Sequence, residues 1–298
     1  MRRQQTQPQP AAALTIIGYK VATLDEIAQY APSAFSSHPS NKVSDRYSFV
    51  STGELLNGFE KLGWKPTHVR QNGSGDYARH MVRLTNDSFG NIDGLKNLDK
   101  VRPQIVLDNS HNGGSTAQIH MGLFRLVCTN GLVVAIPGMY TAVKLRHVGI
   151  DMEELKQLME IVSNQYTTVG DHISEMQRHL LTPEQGEEFV IKAMAARESH
   201  AFIKEDGTID YKKVTATVNP VSILEPIRGE DQRNDLWTVF NVVQERLIKG
   251  DFERQSRTGR KSSPRAINNA IRNIDLNKKL WTLAESFMVE DAVAEVIA

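Results

Sequence analysis

The hydrophobic repeat of this chain changes once, near Gly149, and this change constrains the fold more than any other feature. Before it, residues 115–129 alternate apolar and polar side chains, which is typical of a half-buried β-strand. After it, apolar side chains recur at helical spacing, at Met152, Leu155, Leu158, Met159, Val162, Tyr166, Val169, Ile173, Met176 and Leu180. We therefore predict an α+β fold, with an N-terminal mixed antiparallel sheet with helices and a mainly helical C-terminal half.

Turn and capping residues divide the chain further. The sequence Asn72-Gly73-Ser74-Gly75, between residues 64–70 and 76–85, predicts a β-hairpin. Strands are also expected over 104–107 and 143–148, and helix starts are indicated at Thr23, Thr52, Asp151 and Thr182. Further helical segments are expected over 235–249 and 264–288. The expected division is a flexible tail over 1–13, an α+β core domain over 14–150, and a helical region over 151–298 with a basic loop near 250–265.

The net charge and the distribution of charge along the chain bear on whether it binds nucleic acid or other copies of itself. With 35 basic and 35 acidic residues among 298, the net charge is zero, so no global attraction for nucleic acid is expected. Locally the balance differs, because residues 249–279 hold nine Lys or Arg against three Asp or Glu, whereas the last fourteen residues carry four acidic side chains and no basic one. Such segregation suits head-to-tail self-association or a nucleic-acid patch, and equally a solvated helix face.

Several classes of protein are disfavoured by the composition. No run of about 18 apolar residues is present, so no membrane span is expected. The single cysteine excludes an internal disulfide framework and favours a reducing cytoplasm. The nine histidines show no His-Glu-x-x-His spacing, and Gly73 and Gly75 lack the strand-to-helix context of a nucleotide loop. We expect a cytoplasmic protein without cofactor or metal.

A cluster of polar residues is predicted at the ends of apolar strands between residues 103 and 150. Its members are Asn109, Ser110, His111, Arg125, Asn130, Arg146 and His147. Asn, Ser and Gly accept the geometry of a tight turn, so residues 109–114 are consistent with a plain hairpin turn. They are also consistent with a site, because backbone N–H groups in a Gly-rich turn can bind an anion. We predict that His111 and Arg146 or His147 come together with Asn109 and Asn130.

Two basic segments are candidates for binding nucleic acid. Tyr77, Arg79 and Arg83 fall on one face of a predicted strand, as in surfaces that stack bases and bind phosphates, or as on an ordinary exposed sheet. The second segment is a Gly- and Ser-containing loop that we expect to be mobile. Its basic residues are Arg254, Arg257, Arg260, Lys261 and Arg265.

The chain also resembles a known family. The carrying motifs are Asn109-Ser110-His111-Asn112-Gly113, Arg125-Leu126-Val127-Cys128-Thr129-Asn130 and Arg146-His147, with outlying matches at 43–50, 234–243 and 279–281 and at Gly259. Over roughly residues 14 to 288 it is similar to the phage/plasmid-like family of unknown function (domain of unknown function nine-three-two). The resemblance implies a mobile-element setting and no established activity.

Three functional hypotheses follow. The first is a mobile-element protein that binds nucleic acid, in particular single-stranded DNA, as a homo-oligomer and without chemistry of its own. The helix–hairpin–strand–helix order also looks like that of phage single-strand annealing proteins, which is an analogy of fold only. The second is a phage-encoded interaction or anti-defence protein that assembles on a host protein. The third is an enzyme that uses His111, Cys128 and His147, which the absence of catalytic spacing disfavours.

Overall fold

Helices and an antiparallel sheet account for most of the chain in a computed structural model, which describes residues 13–15, 21–45, 47, 49–87, 101–125, 131–133, 143–144 and 152–297. The predicted α+β class is confirmed, because the strands of the main sheet all precede residue 145 and helices dominate after residue 151. The described residues form two compact units, the first reaching Thr167 and the second beginning at Thr168.

The first unit is built on one antiparallel sheet. Its strands are β1 (Ala13–Thr15), β2 (Lys65–Asn72), β3 (Arg79–Thr85), β4 (Val101–Asn109), β5 (Gln118–Arg125), β6 (Gly131–Val133) and β7 (Val143–Lys144). β1 to β6 lie side by side in chain order, and β7 pairs with β5. Helix α1 (Leu24–Tyr30), a 3₁₀ turn (Pro32–Phe35) and helix α2 (Thr52–Lys61) precede β2.

The predicted hairpin is confirmed as β2 and β3. Gly73 takes a left-handed φ of 97°, which favours glycine over other residues in this tight connection. The antiparallel register pairs His80 of β3 with Gln71 of β2 on one side and with Asn109 of β4 on the other. Because side chains alternate along a strand, this register places three polar side chains on one face at one end of the sheet.

Two local expectations were wrong. Ser51, and not Thr52, caps helix α2, since its side chain accepts from the backbone N–H of Glu54 at 3.2 Å. Thr52 is instead the first helical residue and is fully buried. The polar face expected for β5 is also covered, because His120 is only 2% exposed.

The second unit is helical. Helix α3 (Met152–Arg178) begins in the first unit and ends in the second. The other elements are α4 (Pro183–Arg197), α5 (Ser199–Phe202), α6 (Tyr211–Thr217), α7 (Pro220–Leu224), a 3₁₀ turn (Gly229–Asp231), α8 (Leu236–Lys249), β8 (Arg254–Gln255), β9 (Lys261–Ser262) and α9 (Ala270–Ile297). Its core contains an edge-to-face pair of Phe240 and Trp281 and another of Phe189 and Phe287.

Six of the ten apolar residues of the predicted stripe are buried, namely Leu155, Met159, Tyr166, Val169, Ile173 and Met176. Leu180, just after α3, is 61% exposed. Among the helices that the structure describes, none combines the length and hydropathy that a bilayer crossing requires.

Candidate functional site

The Asn-Ser-His turn after β4 is an anchored structural element. Asn109, Ser110 and His111 are at most 1% exposed. The Tyr47 hydroxyl donates to the Ser110 carbonyl at 2.8 Å, and the Ser40 N–H donates to the His111 carbonyl at 2.8 Å. These bonds tie the segment before α2 to the end of the sheet.

A buried cluster of five polar side chains surrounds this turn, and we call it the histidine cluster. Its members are Ser33, Thr52, His80, Asn109 and His111, each at most 1% exposed. Nδ1 of His80 lies 2.9 Å from the Ser33 hydroxyl, and Nε2 of His80 lies 2.8 Å from the Thr52 hydroxyl. The Asn109 amide donates to Thr52 Oγ1 at 2.9 Å and to the Val50 carbonyl at 3.0 Å.

The hydrogen-bond geometry determines the proton position on His80. Nδ1 lies 3.0 Å from the carbonyl oxygen of Ala78, which can only accept, so Nδ1 carries the proton. Nε2 is then an acceptor, and the Thr52 hydroxyl donates to it while accepting from Asn109. A proton on Nε2 would make the ring a second donor, beside the Asn109 amide, to the Thr52 hydroxyl. That hydroxyl could then no longer donate to Nε2.

Both rings of the cluster favour the neutral form. Burial, together with a smaller effect of the neighbouring His111 ring, lowers the pKa of His80 to about 3, although the Ala78 carbonyl opposes the shift. Burial also lowers the pKa of His111, although the carbonyls of Val50 and Ser33 oppose the shift. Nδ1 of His111 makes no hydrogen bond of good geometry to the described residues.

The histidine cluster has the parts of a nucleophile–base pair but not the access. A hydroxyl within hydrogen-bond distance of an imidazole is the arrangement that activates serine or threonine. Here every member is buried. The hydrogen bonds of the cluster connect the 3₁₀ turn and α2 to strands β3 and β4 of the sheet. The sequence pattern does not reveal Ser33, Thr52 and His80 in this role, because only tertiary contacts bring them together. The register of β3 places His80 beside Asn109, and the packing of the 3₁₀ turn and α2 brings Ser33 and Thr52 to His80.

The rest of the predicted polar site is only partly described. Arg125 ends β5 opposite Val101, and no side-chain contact of Arg125 is described. Asn130, Arg146 and His147 lie outside the described residues, as does Cys128. The predicted meeting of His111 with Arg146 or His147 therefore stays a prediction.

The candidate aromatic–arginine face of β3 is engaged within the fold. Arg79 donates through Nε to the carboxylate of the buried Asp108 at 2.8 Å, and its Nη2 contacts the same carboxylate. Arg83 is 6% exposed and is not free. Tyr77 precedes the strand, is half-buried, and lies 3.3 Å from Nδ1 of His38 through its hydroxyl. The role in nucleic-acid binding that the sequence suggests for these side chains stays a prediction.

The basic segment near residue 260 contains a short β-hairpin. β8 and β9 pair antiparallel, and the turn between them is closed by a Ser256 N–H to Arg260 carbonyl bond of 2.9 Å. Gly259 takes a φ of 78° in this turn, and the Ser256 hydroxyl accepts from the Arg260 N–H at 3.0 Å. The hairpin presents its side chains from a defined backbone.

The five basic residues of this segment divide into two groups. Arg254 binds the carboxylate of Glu198 at 2.9 Å, and Lys261 binds that of Glu253 at 2.8 Å. Arg257, Arg260 and Arg265 are exposed, and no described carboxylate pairs with them. We call these three side chains the basic hairpin surface.

Arg197 holds together the two chain segments that enter and leave the hairpin. Its guanidinium donates to the carbonyls of Leu247 and Arg265, each at 2.9 Å, and lies 5.3 Å from the centre of the Phe252 ring. Burial lowers its pKa, and the nearby positive charges of Arg254 and Arg272 add to this effect while Glu198 opposes it. The base of the hairpin is thus itself rich in positive charge.

Metal chemistry finds no support in the described part of the chain. There, no group of three or more His, Cys, Asp or Glu side chains is placed to hold a metal ion.

Comparison with known proteins agrees with the resemblance seen in the sequence. The chain is 32% identical over 279 residues to UPF0380 protein YafZ of Escherichia coli (strain K12), covering 90% of this chain and 92% of the relative. It is 30% identical over 273 residues to UPF0380 protein YfjQ of the same organism, again covering 90% and 92%. No solved structure matches significantly. The family model described as Domain of unknown function (DUF932) matches residues 39–281, and the chain belongs to that family.

Proposed function

We propose that this protein binds nucleic acid through the basic hairpin surface. The observation that carries the proposal is that Arg257 and Arg260 in the β8–β9 turn, and Arg265 three residues after β9, are exposed and are not neutralised by a described carboxylate. Guanidinium groups in this state gain most from phosphate contacts, since binding releases counterions without breaking an internal ion pair.

The backbone hydrogen bonds that close the hairpin also favour binding. A mobile loop would lose conformational entropy on binding, whereas a hairpin already closed by backbone bonds loses less. Arg254 and Lys261 contribute by holding the hairpin through Glu198 and Glu253. Because the net charge of the chain is zero, attraction for phosphate has to come from local basic surfaces such as this one.

The test is fluorescence anisotropy with labelled oligonucleotides over a series of salt concentrations. The parent should bind most tightly at low salt, with log K falling by about 0.7 per phosphate contact for each decade of salt on a single strand. Replacing Arg257, Arg260 and Arg265 by Ser should make the slope shallower by about 2, since three contacts are lost.

A matched control removes the same charge elsewhere. Lys42, Lys61 and Lys65 are exposed in the first unit, and their replacement by Ser should leave the salt slope unchanged. Equal slopes for the two triple variants, or no binding by the parent at low salt, would refute the proposal.

Self-association is a separate proposal that rests mainly on charge. Six of the ten apolar residues of the α3 stripe are buried within the chain, and Glu285 of the acidic end contacts His172 and Trp281. If the basic hairpin surface and the acidic end join neighbouring copies, light scattering should show an oligomer larger than a dimer that dissociates as salt rises. A monomer mass at low salt would refute it.

A further inference from the structure

We propose that Tyr211 is a base-stacking residue beside the basic hairpin surface, which makes the ligand single-stranded nucleic acid; this inference rests on the proposed function. Tyr211 is the first residue of α6, and its side chain is 43% exposed. No described group forms a hydrogen bond with its hydroxyl, so the exposed ring can contact a ligand without breaking a hydrogen bond of the fold.

The position of α6 links Tyr211 to the hairpin. α6 contacts β8, the strand that contains Arg254. The helix has seven residues and is only about 10 Å long, at a rise of 1.5 Å per residue, so Tyr211 lies within about 10 Å, along the helix, of the residues of α6 that contact β8. A strand whose phosphates contact the arginines therefore has bases within reach of this helix.

The exposed side of α6 adds charge of the right sign. Val214 is the buried residue of the helix, whereas Lys212 and Lys213 are exposed beside Tyr211 and pair with no described carboxylate. The nearby Asp210 is already used, because its side chain caps α6 by accepting from the Lys213 N–H at 3.1 Å. One exposed aromatic and two exposed cationic side chains thus begin a short helix that contacts the basic hairpin.

This combination favours a single strand over a duplex. Base faces are covered in a duplex, so an exposed ring beside a phosphate-binding surface gains a contact only when bases are unstacked. Stacking on an aromatic side chain tolerates every base, so we expect little sequence preference. Tyr77, the tyrosine singled out by the sequence pattern, is by contrast half-buried against His38.

The experiment compares Tyr211 variants on a labelled oligothymidylate of about 20 nucleotides, longer than the site of a small binding fold, and on a duplex of the same length. Tyr211→Ala should weaken single-strand binding by about tenfold, leaving duplex binding and the salt slope unchanged. Tyr211→Phe keeps the ring and should bind like the parent. In Tyr211→Trp, the added exposed indole should be quenched by the oligothymidylate.

The outcomes separate this inference from the proposed function. Loss of binding in the arginine triple variant but not in Tyr211→Ala would overturn the stacking role and leave the phosphate surface standing. Duplex binding that is tighter than single-strand binding would also overturn it. No binding by the parent to either oligonucleotide would overturn both proposals.

Discussion

The buried ring of His80 should make the first unit sensitive to acid, and the change His80→Asn tests this directly. In the folded protein Nδ1 of His80 carries the proton, and Nε2 accepts from the Thr52 hydroxyl. Asparagine can keep a donor near the Ala78 carbonyl but cannot take up a proton. It leaves a small cavity and the Thr52 hydroxyl without its acceptor, so at pH 7.5 we expect a loss of about 2–3 kcal/mol in unfolding free energy.

The magnitude of the acid effect follows from the pKa of His80. That pKa is about 3 in the folded state, against 6.5 for an ordinary histidine. As the pH falls below 6.5, the His80 imidazole binds a proton in the unfolded chain but not in the folded chain. The free energy of unfolding therefore decreases between pH 6.5 and about 3. At pH 4.5, two units below the unfolded value, the parent should have lost about 3 kcal/mol through this group. The variant lacks the group, so its deficit relative to the parent should nearly vanish.

The assay is urea unfolding at pH 7.5, 6.0 and 4.5, followed by tryptophan fluorescence and by hydrogen exchange of strand β3. His68 is present in both proteins, so its titration cancels in the difference between parent and variant. His111 contacts His80, so the difference reports the titration of His80 together with any change that its removal causes at His111. Replacement of the exposed His200 by Asn controls for removing a histidine anywhere in the chain. Parallel stability curves for the parent and His80→Asn would show that the reasoning on burial and proton position is wrong.

Three other substitutions probe separate contacts. Asp108→Ala should cost roughly 1–3 kcal/mol in urea unfolding, because it removes a buried carboxylate and leaves the half-buried Arg79 without its ion-pair partner; an unchanged free energy of unfolding would contradict this. Tyr166→Phe removes the hydroxyl that lies between two strand carbonyls and should cost about 1–2 kcal/mol in thermal unfolding, whereas an unchanged midpoint would mean that this bond is not formed. Glu285→Gln should lower the pKa of His172 in an NMR titration, since the carboxylate hydrogen bond raises it; an unmoved titration would exclude that cause.

Much of the fold follows from local patterns, which is why the sequence predicted it. The Asn-Gly turn places β2 against β3, and the caps at Thr23, Thr182 and Asp235 begin helices α1, α4 and α8. Each of these signals acts over a few residues of chain, through backbone dihedrals and hydrogen bonds to the nearest N–H groups. All the residues on which such a turn or cap depends lie close together in the sequence, so the sequence alone reveals it.

The candidate sites depend on contacts between distant residues, and only the tertiary structure decided them. Thr52 was expected to cap a helix but turns toward His80, 28 residues away along the chain. Arg79 and Arg257 look alike in the sequence, yet one is bound to a buried carboxylate and the other is exposed without a described partner. Burial and ion pairing depend on which strand and helix lie opposite a side chain, and strand register and helix packing set this across long stretches of chain. The sequence therefore determined where helices and strands form, and the packing determined which polar groups are left to bind something else.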